Sequence, residues 1–279
     1  KAIRRQRQMC IRDSCMDNSR PKVFLLEPET QAEVDMALRR TAHAPQILLT
    51  TDARAAHAYA DFTADCPATE PELPWELSVY DETLRLFTSG TTGRQKSVCL
   101  TSINEVLSAH DVMIHFPFSF TDRSMNTTPW FHRGGLHSGG ITPTLYAGGT
   151  VIIQRKFQPE KTLDMVQQYG LTFLIGVPNV LELLAEAQQK QPRDLSSLRG
   201  IVTMGSPLER ADCIRYQKIL TKRIFNGYGT TETFWNTFLR PDDLPEMAGS
   251  AGRSCVDDDV RVIKVYDCLL YTSPSPRDT

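Results

Sequence analysis

Hydrophobic and polar positions take on a regular alternation from about Leu84, where short β-rich runs begin to alternate with stretches of helical period. Ser102-Ile-Asn-Glu105 reads as a capping box for a helix running to about His115. Thr150 to Gln154, after the Gly148-Gly149 turn, reads as a buried strand. Pro159 begins a helix to about Tyr169, and Thr172 to Ile175 is a further strand. Pro178 opens a helix in which Val180, Leu183, Leu184 and Ala187 fall at i, i+3, i+4 and i+7. Gly200 to Met204 then reads as strand, Leu208 to Leu220 as helix, and Arg223 to Asn226 as a short strand. Strands alternating with helices of this length predict βαβ units: an α/β fold of mostly parallel sheet with flanking helices. Upstream, Thr30 to Thr41 looks helical and Gln46 to Thr51 extended. Cys66 to Glu76, with three prolines and three carboxylates, reads as an exposed connector.

Composition narrows the class. A hydrophobic fraction of 41% is enough for a buried core, and no apolar run approaches the roughly 18 residues of a membrane span. Arg4 to Ser14 and Cys268 to Asp278 resemble translated adapter DNA from a sequencing library. Residues 1–14 and 268–279 are therefore set aside from fold reasoning. The native portion is then expected at 15–267, an internal stretch of one large domain or two small ones. Without those ends, basic residues fall from 31 to 25 and acidic ones from 33 to 31, so net charge moves from −2 to −6. The basic amino-terminal arm is thus no argument for nucleic-acid binding, and no other basic stripe with interleaved aromatics exists. Cys15, Cys66, Cys99, Cys213 and Cys255 are scattered and give neither a metal site nor a disulfide framework. A reducing, cytoplasmic setting is the default.

Candidate chemistry concentrates in two places. Leu86 to Val98 (L-F-T-S-G-T-T-G-R-Q-K-S-V) runs from an apolar strand into small hydroxyl residues, two glycines and a lysine. Backbone N–H groups freed by Gly90 and Gly93 can curl around anionic oxygens, and Thr88, Ser89, Thr91 and Thr92 add donors. Lys96 supplies a mobile point charge. With Gln95 before the lysine, this is not a Walker A loop. Far downstream stands Asn226-Gly-Tyr-Gly-Thr-Thr-Glu232. Tyr228 offers a flat face for a purine ring, Gly227 and Gly229 admit close backbone approach, and Glu232 is a hard oxygen ligand suited to Mg²⁺. Each loop follows a strand, as does Gly205-Ser206-Pro207, and ligands of open α/β sheets bind beyond the carboxyl ends of strands. All three loops are expected at one sheet edge.

The two blocks, in this order, resemble the signatures of the adenylate-forming superfamily, whose members include acyl- and aryl-CoA synthetases, luciferases and adenylation domains of peptide synthetases. The resemblance covers most of Leu84 to about Asp267. It implies ATP and CoA as co-substrates, Mg²⁺ on Glu232, and a small-molecule carboxylic acid as partner. Tyr228 would stack on adenine, and Thr231, beside Thr230, would touch the α-phosphate. The loop from Thr88 to Gly93 with Lys96 would hold the phosphates, and Gly205, Ser206 and Pro207 would line the adenine and acyl pockets. Trp130-Phe-His-Arg-Gly-Gly135 resembles the segment whose histidine, here His132, borders the acyl pocket. Gly249-Ser-Ala-Gly252 resembles a later glycine block, with Val260 to Val265 as the strand after it. Gln95 and Ser97 replace the family's usual proline and glycine; Ser97 would be strained if its φ were positive. The ribose-gripping aspartate and the small carboxyl-terminal domain of the family fall outside the resembling stretch. The polypeptide by itself is therefore expected to adenylate acids poorly. A peptide-synthetase-like adenylation domain and a non-catalytic nucleotide-binding relative stay open as alternatives.

Overall fold

The computed structural model describes residues 15–73, 75–88 and 96–261, and the backbone alone of 263–266 and 269–272. Ser89 to Gly93 and Gln95 of the expected phosphate loop lie outside the described residues. The chain divides into two compact units, 1–102 and 103–279.

In the first unit β1 (Val23–Leu26) pairs in parallel with β2 (Ile47–Thr50) across α1 (Gln31–Leu38), and α2 (Tyr59–Thr63) follows. Met16, Leu26, Val34 and Ala37 form its small core. β3 (Glu82–Thr88) then pairs antiparallel with β4 (Lys96–Thr101) as a separate two-stranded sheet. This corrects the expectation that all three loops share one sheet edge: β3, which the phosphate loop follows, belongs to a different sheet from β8 and β9. Ser97 lies within β4 opposite Phe87, and it is not among the residues with positive φ, so no strain arises there. The connector from Cys66 to Glu76 is exposed at every described position; Pro74 lies outside them.

The second unit carries a seven-stranded sheet. Following α3 (Ser102–His115), its elements are β5 (Arg123–Asn126), α4 (Arg133–His137), α5 (Ile141–Tyr146), β6 (Thr150–Val151), α6 (Pro159–Tyr169), β7 (Phe173–Gly176), α7 (Pro178–Lys190), β8 (Gly200–Met204), α8 (Arg210–Ile219), β9 (Ile224–Thr230), β10 (Phe234–Leu239) and β11 (Arg253–Ser254). The spatial order is β11-β10-β9-β8-β7-β5-β6. Pairs from β6 through β9 are parallel, and β10 is antiparallel to both of its neighbours. Side chains of a strand alternate between faces, and here both faces are covered. Leu174, Ile201 and Ile224 point into a core with Leu163, Leu181, Leu184 and Tyr216 of the helices. Phe173, Ile175, Val202 and Phe225 point the other way, into an aromatic core with Phe116, Trp235 and Phe238. That two-sided burial is why β7 and β8 read as continuous apolar runs. Beyond the sheet, β12 (Ile263–Tyr266) and β13 (Leu269–Thr272) form an antiparallel hairpin.

Several expected boundaries move. The strand expected at 150–154 is reduced to two residues at the sheet edge, and Ile153 is exposed. In α7 Leu183 faces outward, while Leu181, Leu184, Ala185 and Ala187 are buried. The capping box at Ser102 is not made. The Ser102 N–H donates to the Asp81 carbonyl at 3.2 Å, and the Glu105 carboxylate is taken by His137, whose Nε2 stands 2.9 Å from both oxygens. Because His137 is fully buried and meets a carboxylate, Nε2 carries the proton in that bond.

Cysteine environments yield a first prediction. Burial pushes the Cys213 thiol up to about 11 and that of Cys255 up to about 12, whereas Cys66 and Cys99 are exposed. The thiolate is the reactive form, so alkylation of the folded chain near pH 8 should modify Cys66 and Cys99 and spare Cys213 and Cys255 until denaturant is added. Site-resolved mass spectrometry checks this; equal labelling of all four would show the second unit's core to be open.

Candidate nucleotide site at the carboxyl edge of the parallel sheet

Three loops leave the carboxyl ends of β5, β8 and β9 on one sheet edge. After β8 the chain must turn at once, and Gly205 does so with φ of 82°, a conformation other residues adopt only with strain. β9 continues further than expected, through Gly227, Tyr228, Gly229 and Thr230, because β10 pairs with it: Gly229 lies opposite Trp235 and Thr230 opposite Phe234. The Tyr228 block is therefore the end of a β-hairpin, with Thr231, Glu232 and Thr233 as its turn. The Thr230 hydroxyl, expected to face the nucleotide, stands 3.1 Å from Thr233 Oγ1 and holds the turn internally.

A cavity of about 340 Å³ opens at the ends of β8 and β9. Gly205, Ser206 and Pro207 form one wall, Gly227, Tyr228 and Gly229 a second, and Gly249 to Ala251 a third. Three blocks singled out in the sequence thus converge on one space. Tyr228 is 57% exposed, an aromatic face left open at the cavity. The third wall is fixed by two residues without a sequence signal. Arg210 donates to the carbonyls of Glu246 (2.9 Å) and Ala248 (3.2 Å), and the Thr237 hydroxyl donates to the Ala251 carbonyl at 2.6 Å.

Asn226 also lines this cavity, and no local sequence pattern marks it as a ligand. It is 5% exposed, and its Oδ1 has no hydrogen-bond partner among the described residues. A buried acceptor without a donor is costly, and a ligand amine would satisfy it. The exposed Glu232 carboxylate makes no hydrogen bond among the described residues, and no cluster of three or more metal-ligating side chains occurs among them. One carboxylate with open coordination suits Mg²⁺, which takes its remaining ligands from water and phosphate.

The other expected residues are dispersed. Thr88, the last residue of β3, lies opposite Lys96, the first of β4, in the first unit, and Lys96 is exposed. His132 is the N-cap of α4, exposed, its ring 4.5 Å from that of Phe131, and it lines neither this cavity nor the next. Trp130 does line a second cavity, of about 390 Å³, with Ile141 and Phe157. Asn126 shapes that loop by donating to the Gly134 carbonyl at 2.8 Å and accepting from the Thr128 N–H at 2.9 Å.

A cavity with an open tyrosine face at the carboxyl edge of a parallel sheet stands where open α/β domains bind their ligands. The chain belongs to the AMP-binding enzyme family, whose model matches residues 12–269. It is 32% identical over 246 residues to an indoleacetate–CoA ligase of Aromatoleum aromaticum, covering 87% of this chain and 47% of that protein. Against a feruloyl-CoA synthase of an Amycolatopsis species it is 33% identical over 195 residues, covering 69% and 38%. Its fold matches ATP-bound MatB from Rhodopseudomonas palustris with a TM-score of 0.71 at 25% identity, over 87% of this chain and 46% of that one. The chain thus spans about half or less of the length of these relatives.

Proposed function

We propose that the protein carrying this sequence is an ATP-dependent acid–thiol ligase, which activates a carboxylic acid as an acyl-adenylate and transfers it to CoA. The observation that carries this reading is the convergence of Gly205–Pro207, Gly227–Gly229 and Gly249–Ala251 on one cavity bearing Tyr228 and the unpartnered Asn226 oxygen. An adenine ring suits both: a flat π face for Tyr228 and an exocyclic amine for Asn226 Oδ1. Two relatives above 30% identity carry the names of aryl- or arylalkyl-acid CoA ligases, which favours an aromatic acid.

The chemistry required is attack of a carboxylate oxygen on the α-phosphorus, with the bond to pyrophosphate breaking. Catalysis of such a step is mainly positioning and electrostatic stabilisation. Tyr228 and Asn226 fix the base, Gly205 to Pro207 let backbone approach it, and the Thr231 hydroxyl is assigned to donate to the α-phosphate. Lys96 and the loop from Thr88 are assigned to the phosphates, and His132 to the entrance of the acid. Glu232 would hold Mg²⁺, which neutralises charge on the triphosphate when bound. Residues 15–267 are taken as the native portion; the family match over 12–269 covers all of it and runs a few residues past each end. No described helix is long and apolar enough to cross a membrane; a cytoplasmic setting is part of the proposed reading.

The test is acid-dependent exchange of pyrophosphate into ATP by a full-length protein carrying this sequence, across aryl, arylalkyl and alkyl acids. Exchange with at least one acid, followed by acid-dependent consumption of CoA thiol, is expected. Nucleotide binding without exchange for any acid would replace the reading by a non-catalytic one.

A further inference from the structure

Arg133 follows His132 in the chain, yet its side chain leaves the acid-entrance segment and runs under the Thr231–Glu232 turn. It is 7% exposed. One terminal nitrogen donates to the Thr231 carbonyl at 2.6 Å, and the other donates to Ser108 Oγ of α3 at 3.1 Å. Nε is buried with no partner among the described residues. The guanidinium carbon stands 5.0 Å from the ring centroid of Phe234, and Phe234 holds φ of 67°, a region that a bulky residue enters only with strain. Burial depresses the Arg133 pKa from its ordinary value, while Glu105, Asp111 and Glu232 act against that depression.

If filling space were its role, an apolar side chain would serve as well, since removing a charge from water is unfavourable unless its partners compensate. What the guanidinium adds is a fork that grips a turn carbonyl and a helix hydroxyl together. We infer that Arg133 is a positioning residue: it locks the β9–β10 turn so that the Thr231 hydroxyl and Glu232 carboxylate are presented to the metal–triphosphate. This ties the acid-entrance segment at His132 mechanically to the nucleotide turn, since the two residues are adjacent. The inference rests on the proposed reading of Glu232, so its test has a ligand-free and a ligand-dependent part.

In the ligand-free part, amide hydrogen exchange across Thr230–Phe234 is compared between the wild-type chain and Arg133→Met, with β8 as internal reference. Exchange at the turn should accelerate by about tenfold or more, the scale of one charged hydrogen bond, and Arg133→Lys should recover part of it. Unchanged exchange at the turn overturns the inference. Should Arg133→Met fail to fold, Arg133→Lys and Ser108→Ala carry the same comparison, each with a smaller acceleration confined to the turn. In the ligand-dependent part, the factor by which Mg²⁺ changes ATP affinity is measured for wild type, Arg133→Met, Glu232→Gln and the double variant. Arg133→Met should cut that factor by about tenfold in the wild-type background and leave it unchanged on Glu232→Gln, since residues acting through one element are coupled. Equal losses in both backgrounds overturn a role through Glu232. A wild-type chain that binds no ATP would contradict the proposed function, and the exchange comparison would still decide the Arg133 anchor.

Discussion

Replacing Gly229 by alanine is expected to destabilise the second unit by about 3 kcal/mol and to abolish measurable nucleotide binding. A Cβ at this position would stand 1.5 Å from the Phe234 carbonyl oxygen and 2.5 Å from its carbonyl carbon. Both are backbone atoms of the paired strand, so no rotamer change relieves the collision and the hairpin must open. Opening it displaces Tyr228 on one side and the Thr231–Glu232 turn on the other. Gly134→Ala is the matched control: its Cβ would meet the flexible Met204 side chain at 3.0 Å, and its cost should stay below about 1 kcal/mol. Urea unfolding read at constant m-value measures both. Equal stability for the two variants would mean that β9 and β10 are not paired at Gly229.

Tyr228→Ala should leave stability within about 0.5 kcal/mol of wild type, because the side chain is more than half exposed. Its effect falls on the ligand. Stacking of a base on an aromatic side chain is worth about 1–3 kcal/mol, so the dissociation constant for AMP should rise by about tenfold or more. Tyr228→Phe keeps the face and should keep most of the affinity. Calorimetric titration distinguishes the cases, and an unchanged constant in Tyr228→Ala would remove the ring from the adenine site.

The parallel strands were legible because burial on both faces leaves them uniformly apolar: Gly200 to Met204 was read with its observed bounds, and Thr172 to Ile175 within one residue of them. The helix from Pro159 to Tyr169 was legible from its leading proline and its amphipathic period. Gly227 and Gly229 hide the end of β9, since glycine is depleted in strands, and only its pairing with β10 extends it. Adjacent leucines 183 and 184 left the buried face of α7 ambiguous by one position; packing places Leu181 and Leu184 inward. Placing the phosphate loop on the parallel sheet failed for a different reason. An apolar run ending in a glycine-rich turn looks the same before a helix as before a hairpin partner, and Lys96 to Thr101 carried too little alternation to reveal β4.

At the site, what the sequence displayed was residue type in compact blocks, and those blocks do meet around one cavity. Hidden were the residues whose role depends on distant partners. Arg133 and Thr231 lie 98 positions apart, and Asn226 is marked only by a missing hydrogen bond. Arg210 and Thr237 reach loop carbonyls that no local pattern foretells.

Under the proposed function the adenine ring binds in the cavity walled by Gly205, Tyr228 and Ser250. Photolabelling of the chain with 8-azido-AMP, followed by peptide mapping, tests it most directly. The predicted result is label on peptides containing Ser206, Tyr228 or Ser250, suppressed by excess AMP and diminished in Tyr228→Ala. Label competed by AMP but confined to the Trp130 cavity or to the first unit would contradict it.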